Sequence, residues 1–353
     1  MAGLKSELFR LGLSALWYSG VARMAEPLTR GVGTILMLHR VLPERVHRPF
    51  APNRDLSVTP EYLDALIARF RRDRIDILTL DQALQRLASP SPERPFVCFT
   101  ADDGYRDNYE HAFPIFRKHG APLTIYVTTG FVDAKMPMWW HVLEIALAKR
   151  DRLTFQLDGK DVVHDTADTD AKIRAFDAIA PAFFGRVIPD VRRLVDAIAD
   201  AASIDPLEAC AGEVCTWAML AEMKRSGLVE LGCHTVNHPV LAIECDEDVR
   251  AELATARDRI AAETGQAPRH FAYPYGKPEQ AGAREFAFAR EAGFATAVTT
   301  RKASLFAAHR DHLVALPRVE VSPNFSGSTD YLRTILAGLP LLFWNGGRRF
   351  VVN

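Results

Sequence analysis

The sequence predicts an α/β fold built on a mainly parallel sheet, open or closed. Three observations carry that prediction. Short apolar or β-branched runs alternate with longer amphipathic stretches, helix punctuation falls between them, and reactive side chains gather where the strands end. The strand runs are 34–38, 75–79, 96–100, 123–128, 229–233, 270–273, 295–299 and 316–321. The helical runs between them are 60–72, 81–88, 108–118, 217–226, 246–264 and 280–291. Thr59 before Pro60 is an N-cap followed by a first-turn proline, and Gly120, Gly227 and Gly293 stand where helices should end.

The rhythm stops between about 139 and 215. That stretch reads as a mainly helical insertion on the loop after the 123–128 strand, with a hairpin around Asp158-Gly159. Trp139, Trp140 and His141 at its start read as core residues, with a sugar-facing wall as the alternative. Residues 1–33 read as a helical segment, with Leu4, Leu8, Leu11, Ala15 and Tyr18 at helical spacing. Packing on the domain is the simpler fate for that helix, and a membrane-surface helix is the sharper one. The tail 329–353 should hold a helix over 331–337, stopped by Gly338 and Pro340, followed by apolar Leu341 to Trp344.

Composition narrows the function classes. The chain has 353 residues, 48% hydrophobic, with 43 Lys+Arg against 44 Asp+Glu, so it carries enough apolar material for a core. A net charge of −1 gives no support for nucleic-acid binding, which usually shows a basic surplus. Five scattered cysteines (98, 210, 215, 233 and 245) form no CxxC pair, which favours a reducing compartment. No apolar run reaches the roughly 20 residues of a membrane span. The N-terminus lacks the pattern of a signal peptide. The expectation is a cytoplasmic protein, with peripheral contact at the membrane face through the N-terminal helix or the C-terminal tail.

Four clusters sit at strand ends. Asp102 and Asp103 follow the 96–100 strand, and two adjacent carboxylates there are costly unless paired, metal-bound or solvated. His234 and His238, four apart, could meet one ion if the backbone makes a helical turn, with Asp103 as third ligand. Two histidines and a carboxylate suit zinc, or cobalt, manganese or iron. Tyr273-Pro274-Tyr275-Gly276 is a sharp bend that could aim an N–H at a substrate oxygen. His39 ends the 34–38 strand and is a candidate acid or base. In a closed α/β barrel the C-terminal strand ends form one face, where the active site lies.

These clusters resemble the polysaccharide deacetylases of the NodB-homology type, carbohydrate esterase family 4. Thr100-Ala101-Asp102-Asp103-Gly104 is similar to that family's Thr-Phe-Asp-Asp-Gly, with Ala101 in place of Phe, and His234-Thr235-Val236-Asn237-His238 to its His-Ser/Thr-x-x-His. The segment from Phe271 to Gly276 resembles the Pro-Tyr-Gly motif, but Ala272 stands where the family carries an arginine. Arg318 is the replacement expected, Arg269 the weaker one. Leu36-Met37-Leu38-His39 lies at the start, where a permuted branch of the family keeps the strand bearing its acid.

The resemblance implies a distorted (β/α) barrel of about seven strands over 34–328, and a hydrolase that removes N-acetyl groups from the amino sugars of a polysaccharide or glycan precursor. It implies Asp103, His234 and His238 as ligands of one divalent ion, zinc first. It implies Asp102 as general base, Arg318 as its tether, His39 as general acid and the Tyr275 N–H as oxyanion donor. The alternatives are another metal-dependent amidase on the same barrel and a catalytically idle carbohydrate-binding protein.

Overall fold

A computed structural model describes residues 2–43, 50–88, 94–322 and 328–352, with the side chains of residues 2–6 left aside. In chain order the first elements are α1 (Ala2–Tyr18), α2 (Val21–Thr29), β1 (Gly33–Leu38), β2 (Arg40–Val41), β3 (Ser57–Val58) and α3 (Pro60–Arg72). Next come β4 (Asp76–Ile77), α4 (Leu80–Ala88), β5 (Phe96–Ala101), α5 (Phe113–His119), β6 (Leu123–Val127) and α6 (Thr129–Val132). An inserted layer holds α7 (Trp139–Lys149), β7 (Arg152–Leu157), β8 (Lys160–Asp165), α8 (Thr169–Ile179), α9 (Pro181–Phe184), α10 (Ile188–Ala202) and α11 (Pro206–Cys210). The remainder is α12 (Trp217–Arg225), β9 (Val229–Cys233), α13 (Asp246–Thr264), β10 (His270–Ala272), α14 (Ala283–Glu291), β11 (Thr296–Val298), β12 (Val319–Glu320), α15 (Thr329–Leu336) and α16 (Leu339–Trp344).

The strands run parallel in the order β11-β10-β9-β6-β5-β1-β12, with β4 beside the lower half of β5. A parallel bridge between Val298 and Leu316 brings the last segment back toward β11, so the sheet curls into a distorted barrel. Period-two alternation divides the apolar residues between two faces. Ile35, Cys98, Tyr126, Ala272 and Val298 fill the lumen, and Leu80, Ala83 and Leu87 of α4 plug its N-terminal mouth. The opposite faces (Leu36, Phe99, Ile125, Leu231, Phe271) pack on the surrounding helices through Leu66, Phe116, Leu220, Leu253 and Phe286.

Several elements are shorter than expected, for stated reasons. Only Val319–Glu320 of the 316–321 run pairs as a strand, because Pro317 has no N–H to donate. Only Asp76–Ile77 of the 75–79 run pairs, against the start of β5. The 108–118 helix opens as a π-helical turn over Asn108–Ala112, just ahead of Pro114, whose missing N–H breaks the α-helical ladder. The helix expected from 280 begins at Ala283, where Glu285 accepts the Gly282 N–H.

The inserted layer has its own core. Trp140, Leu143, Leu147, Val195 and Ile198 pack together with Tyr105, Phe131 and Met138 of the barrel's upper loops. The expected hairpin is β7–β8, and Asp158 (φ 52°) and Gly159 (φ 75°) turn it.

At the N-terminus the apolar row is reversed. Leu13 and Trp17 face inward, and the guanidinium groups of Arg23, Arg69 and Arg333 lie within 5.1–6.0 Å of the Trp17 ring. Leu8, Leu11, Ala15 and Tyr18, the row counted from sequence, point to solvent, and the Leu4 side chain lies outside the described set. At the C-terminus the expected helix is α15, which stops at Leu336 ahead of Gly338 (φ 88°), and Pro340 then sits in the first turn of a second helix, α16, where apolar residues were expected without a helix. The two ends clasp each other, since Thr29 donates its hydroxyl to the Ala337 carbonyl and Arg349 donates to that of Leu28.

Candidate active site

The C-terminal mouth of the barrel gathers the residues singled out from sequence. β5 runs straight into Asp102 and Asp103, and the Asp102 N–H still donates to the Leu38 carbonyl of β1. Asp103 then turns into the left-handed region (φ 69°), so the two carboxylates diverge. Asp102 meets Arg318 through a bidentate pair, Nη1 to Oδ1 and Nη2 to Oδ2, both 2.7 Å. Arg318 also donates to Thr100 Oγ1 at 3.2 Å and to the Thr299 carbonyl at 3.0 Å, and it is 1% exposed. Burial alone would raise the Asp102 carboxyl, but the Arg318 charge and hydrogen bonds outweigh it and hold the group at about 2. Arg318 therefore stands where the expected tether should, and Arg269 lies at the other end of the barrel beside Asp81.

Asp103, His234 and His238 converge beside that pair. The Nε2 atoms of His234 and His238 lie 3.5 and 3.3 Å from Asp103 Oδ1. His234 donates from Nδ1 to the Ala272 carbonyl at 2.7 Å, which leaves its Nε2 lone pair facing the carboxylate. Asp103 Oδ1 is buried with no hydrogen-bond partner among the described residues. Burial, reinforced by the Asp102 charge, pushes the Asp103 carboxyl well above its ordinary value. Burial also lowers both imidazoles, His234 to about 4 and His238 well below its ordinary value, with the His234 ring adding to the second shift. These donors resist protonation at nitrogen and strain against a bare carboxylate, and a divalent cation among them relieves both penalties. The residues therefore fit a metal ion, and any of the metals named above would suit them.

The expected helical turn between the histidines is absent. Thr235 (φ 66°) and His238 (φ 56°) bend the segment instead, and the Thr235 hydroxyl accepts the His238 N–H. Glu252 of α13 accepts from the N–H groups of Val236 and Asn237 and from the Asn237 amide, and so fixes the loop from below. With Tyr275 (φ 60°), four of the eight non-glycine residues with left-handed backbone among those described lie at this mouth. Such strain concentrates where a site demands a particular backbone.

His39 ends β1 at the same mouth, with its carbonyl held by the Asn108 amide at 2.9 Å. Burial lowers its imidazole against the opposing field of Asp102, so it rests neutral and must gain a proton before acting as an acid. Next to it Arg40 donates to Asp107 and Glu213, and Asp107 accepts the Val41 N–H.

The inserted layer supplies the wall. Trp139 donates its indole N–H to the Tyr275 hydroxyl and Trp140 to that of Tyr105, both at 2.9 Å. Phe184 packs edge-on against both Tyr275 and Trp139 and stays 37% exposed. Trp139 and Trp140 are thus core residues of the insertion whose polar ends reach the site. Tyr105, Phe184 and Glu252 were missed from sequence. Of these only Tyr105, three residues after Asp102, carried a positional signal.

A barrel with a tethered carboxylate and a two-histidine, one-carboxylate set at its C-terminal mouth has the equipment of a hydrolase. The family model for polysaccharide deacetylase matches residues 89–296, and the chain belongs to that family. It is accordingly a carbohydrate deacetylase. Among solved structures, the Streptococcus pyogenes deacetylase PplD is similar at 20% identity and TM-score 0.56, over 86% of this chain and 97% of that one. IcaB from Ammonifex degensii is similar at 20% identity and TM-score 0.55, over 87% and 97%. The Bacillus cereus polysaccharide deacetylase BC0361 is similar at 15% identity and TM-score 0.53, over 86% and 68%. At these identities the likeness shows the fold alone. No curated protein matches the chain significantly.

Proposed function

We propose that the chain hydrolyses the N-acetyl group of amino sugars in an exopolysaccharide or a glycan precursor, with a divalent metal ion held by Asp103, His234 and His238. The observation that carries this reading is the buried trio beside an arginine-locked carboxylate at one barrel mouth. When bound, the ion supplies Lewis acidity toward the acetamide carbonyl and water. Asp102, kept ionised and aimed by Arg318, accepts the proton of the attacking water. The Tyr275 N–H, presented by its left-handed backbone, donates to the developing oxyanion. His39, once it has taken up a proton from solvent, delivers it to the departing nitrogen, and Asp102 returns the water's proton to solvent, so that acetate and a free amine leave with protons balanced. Phe184, exposed beside Tyr275, gives a flat apolar face for the sugar ring.

Elemental analysis tests the reading. Chain purified without chelator is expected to bind metal at Asp103, His234 and His238. Asp103→Ala should lose that equivalent together with all acetate release from N-acetylglucosamine oligomers. A parent protein that takes up none of the four metals and releases no acetate would sink it.

The same reading places the enzyme at the cytoplasmic face of an anionic membrane. Free cysteines support a reducing compartment, and among the described residues no helix is long and apolar enough to cross a bilayer. Val21, Met24 and Leu28 form one exposed stripe of α2, and exposed Arg349 lies beside it, bonded to the Leu28 carbonyl. Apolar side chains beside an arginine suit the headgroup region of acidic lipids. The protein should sediment with phosphatidylglycerol vesicles, and Met24→Glu with Leu28→Glu should release it. Equal sedimentation of parent and variant would refute the contact.

A further inference from the structure

A second set of metal-type donors meets at the opposite, N-terminal mouth of the lumen. Alternation along β9 places Glu230, Gly232 and His234 on the same face, so a strand that carries a ligand to the catalytic mouth carries Glu230 toward the other. β10 begins with His270, and Asp81 sits in the first turn of α4, the helix that plugs this end. His270 Nε2 lies 3.3 Å from Glu230 Oε1 and 3.7 Å from Asp81 Oδ1. The three donor atoms all fall within 4.8 Å of one another.

Two features separate this set from an ordinary surface cluster. His270 is fully buried, and its Nε2 has no hydrogen-bond partner among the described residues, because its approach to Glu230 lacks hydrogen-bond geometry. Its other nitrogen, Nδ1, meets Thr296 Oγ1 at 2.8 Å. With the Nδ1 proton donated to that hydroxyl, Nε2 presents a lone pair to the two carboxylates, the arrangement that orients metal-binding histidines. The spacing also fits. Tetrahedral ligands about 2.0–2.1 Å from zinc stand about 3.3–3.4 Å apart. The catalytic trio shows 3.3 and 3.5 Å, and this set shows 3.3 and 3.7 Å.

We propose that Asp81, Glu230 and His270 form a second divalent transition-metal site, with zinc the best match for its mixed imidazole and carboxylate donors. A cleft of about 250 Å³, lined in part by Asp81, Glu230 and Thr124, borders the two carboxylates and leaves room beside them for a water as fourth ligand. Arg269 donates to Asp81 Oδ1 at 3.3 Å, so the ion shares or displaces that contact. The site ties the plug helix α4 to β9 and β10 at the barrel face where stabilising features concentrate. Its role is structural.

The test uses the full chain, saturated with zinc or cobalt and then desalted, in the Asp103→Ala background that removes the catalytic site. That variant should hold one equivalent of metal, show the visible absorption of cobalt bound by nitrogen and oxygen, and melt at a higher temperature with zinc than without. Adding Glu230→Gln or His270→Gln should abolish all three. Glu230 is partly exposed, so its variant reports even if the His270 variant fails to fold. Asp103→Ala with no bound metal and no zinc-dependent melting shift overturns the proposal. A parent with one equivalent that survives Asp103→Ala and disappears with Glu230→Gln supports this site and refutes metal binding at the catalytic one.

Discussion

Asp102→Asn is expected to keep its metal and to lose turnover by about a thousandfold, within the range for removing a general base. The substitution preserves shape, so the ligand set at Asp103, His234 and His238 keeps its positions. It removes the one carboxylate that Arg318 holds ionised at about 2. Metal content measured beside kcat separates the two roles: unchanged metal with collapsed kcat is the expected pattern. Turnover equal to the parent's would mean that another group takes the proton.

Arg318→Ala is expected to cost about 3–5 kcal/mol of stability, the usual penalty for removing one partner of a buried ion pair. Asp102 would be left ionised, buried and unpaired, or would take up a proton. Its burial, the largest influence on it, would then act without its main opponent and raise its pKa. The base must be ionised to work, so the acid limb of the activity profile should move to higher pH. Arg318→Lys, which keeps the charge and loses the two-pronged geometry, should show the same movement to a smaller degree. Urea denaturation measures the first effect and pH profiles the second. Removing both partners, Arg318→Ala with Asp102→Ala, should recover part of the lost stability, and failure to do so would show that the loss comes from packing.

What could be read from the sequence follows from the range of the interactions involved. Barrel strands such as 34–38 and 96–100 advertise themselves through nearly continuous apolar runs, because both faces are buried. The clusters at their ends inherit their position from the strand, so Asp102, Asp103, His234 and Tyr275 were placed correctly by local pattern alone. Arg318 was legible only through the gap at Ala272, since its partner is 216 residues away. The N-terminal helix was misjudged for a physical reason. Its outward row is as apolar as its inward one, so periodicity identified a stripe without saying which side the domain would cover. The supports beneath the site, Glu252 under the histidine loop and Tyr105 under Trp140, depend on contacts between distant elements. The second donor set escaped notice because Asp81, Glu230 and His270 each look ordinary in their own segments, and only the curl of the sheet brings them together.

The pairing of β1 with β12, Leu36 opposite Val319, has a consequence for the order of events during synthesis. β1 leaves the ribosome well before β12 and must wait, one edge open, while every other strand of the sheet is made. Arg318 arrives with that partner. Until it docks, Asp102 has no buried cation beside it, and the pocket stays unfinished even if every other strand is in place. Such long-range closure slows folding and leaves an edge vulnerable to wrong partners. On the proposed mechanism, a polypeptide without the closing strand lacks the tether of its base.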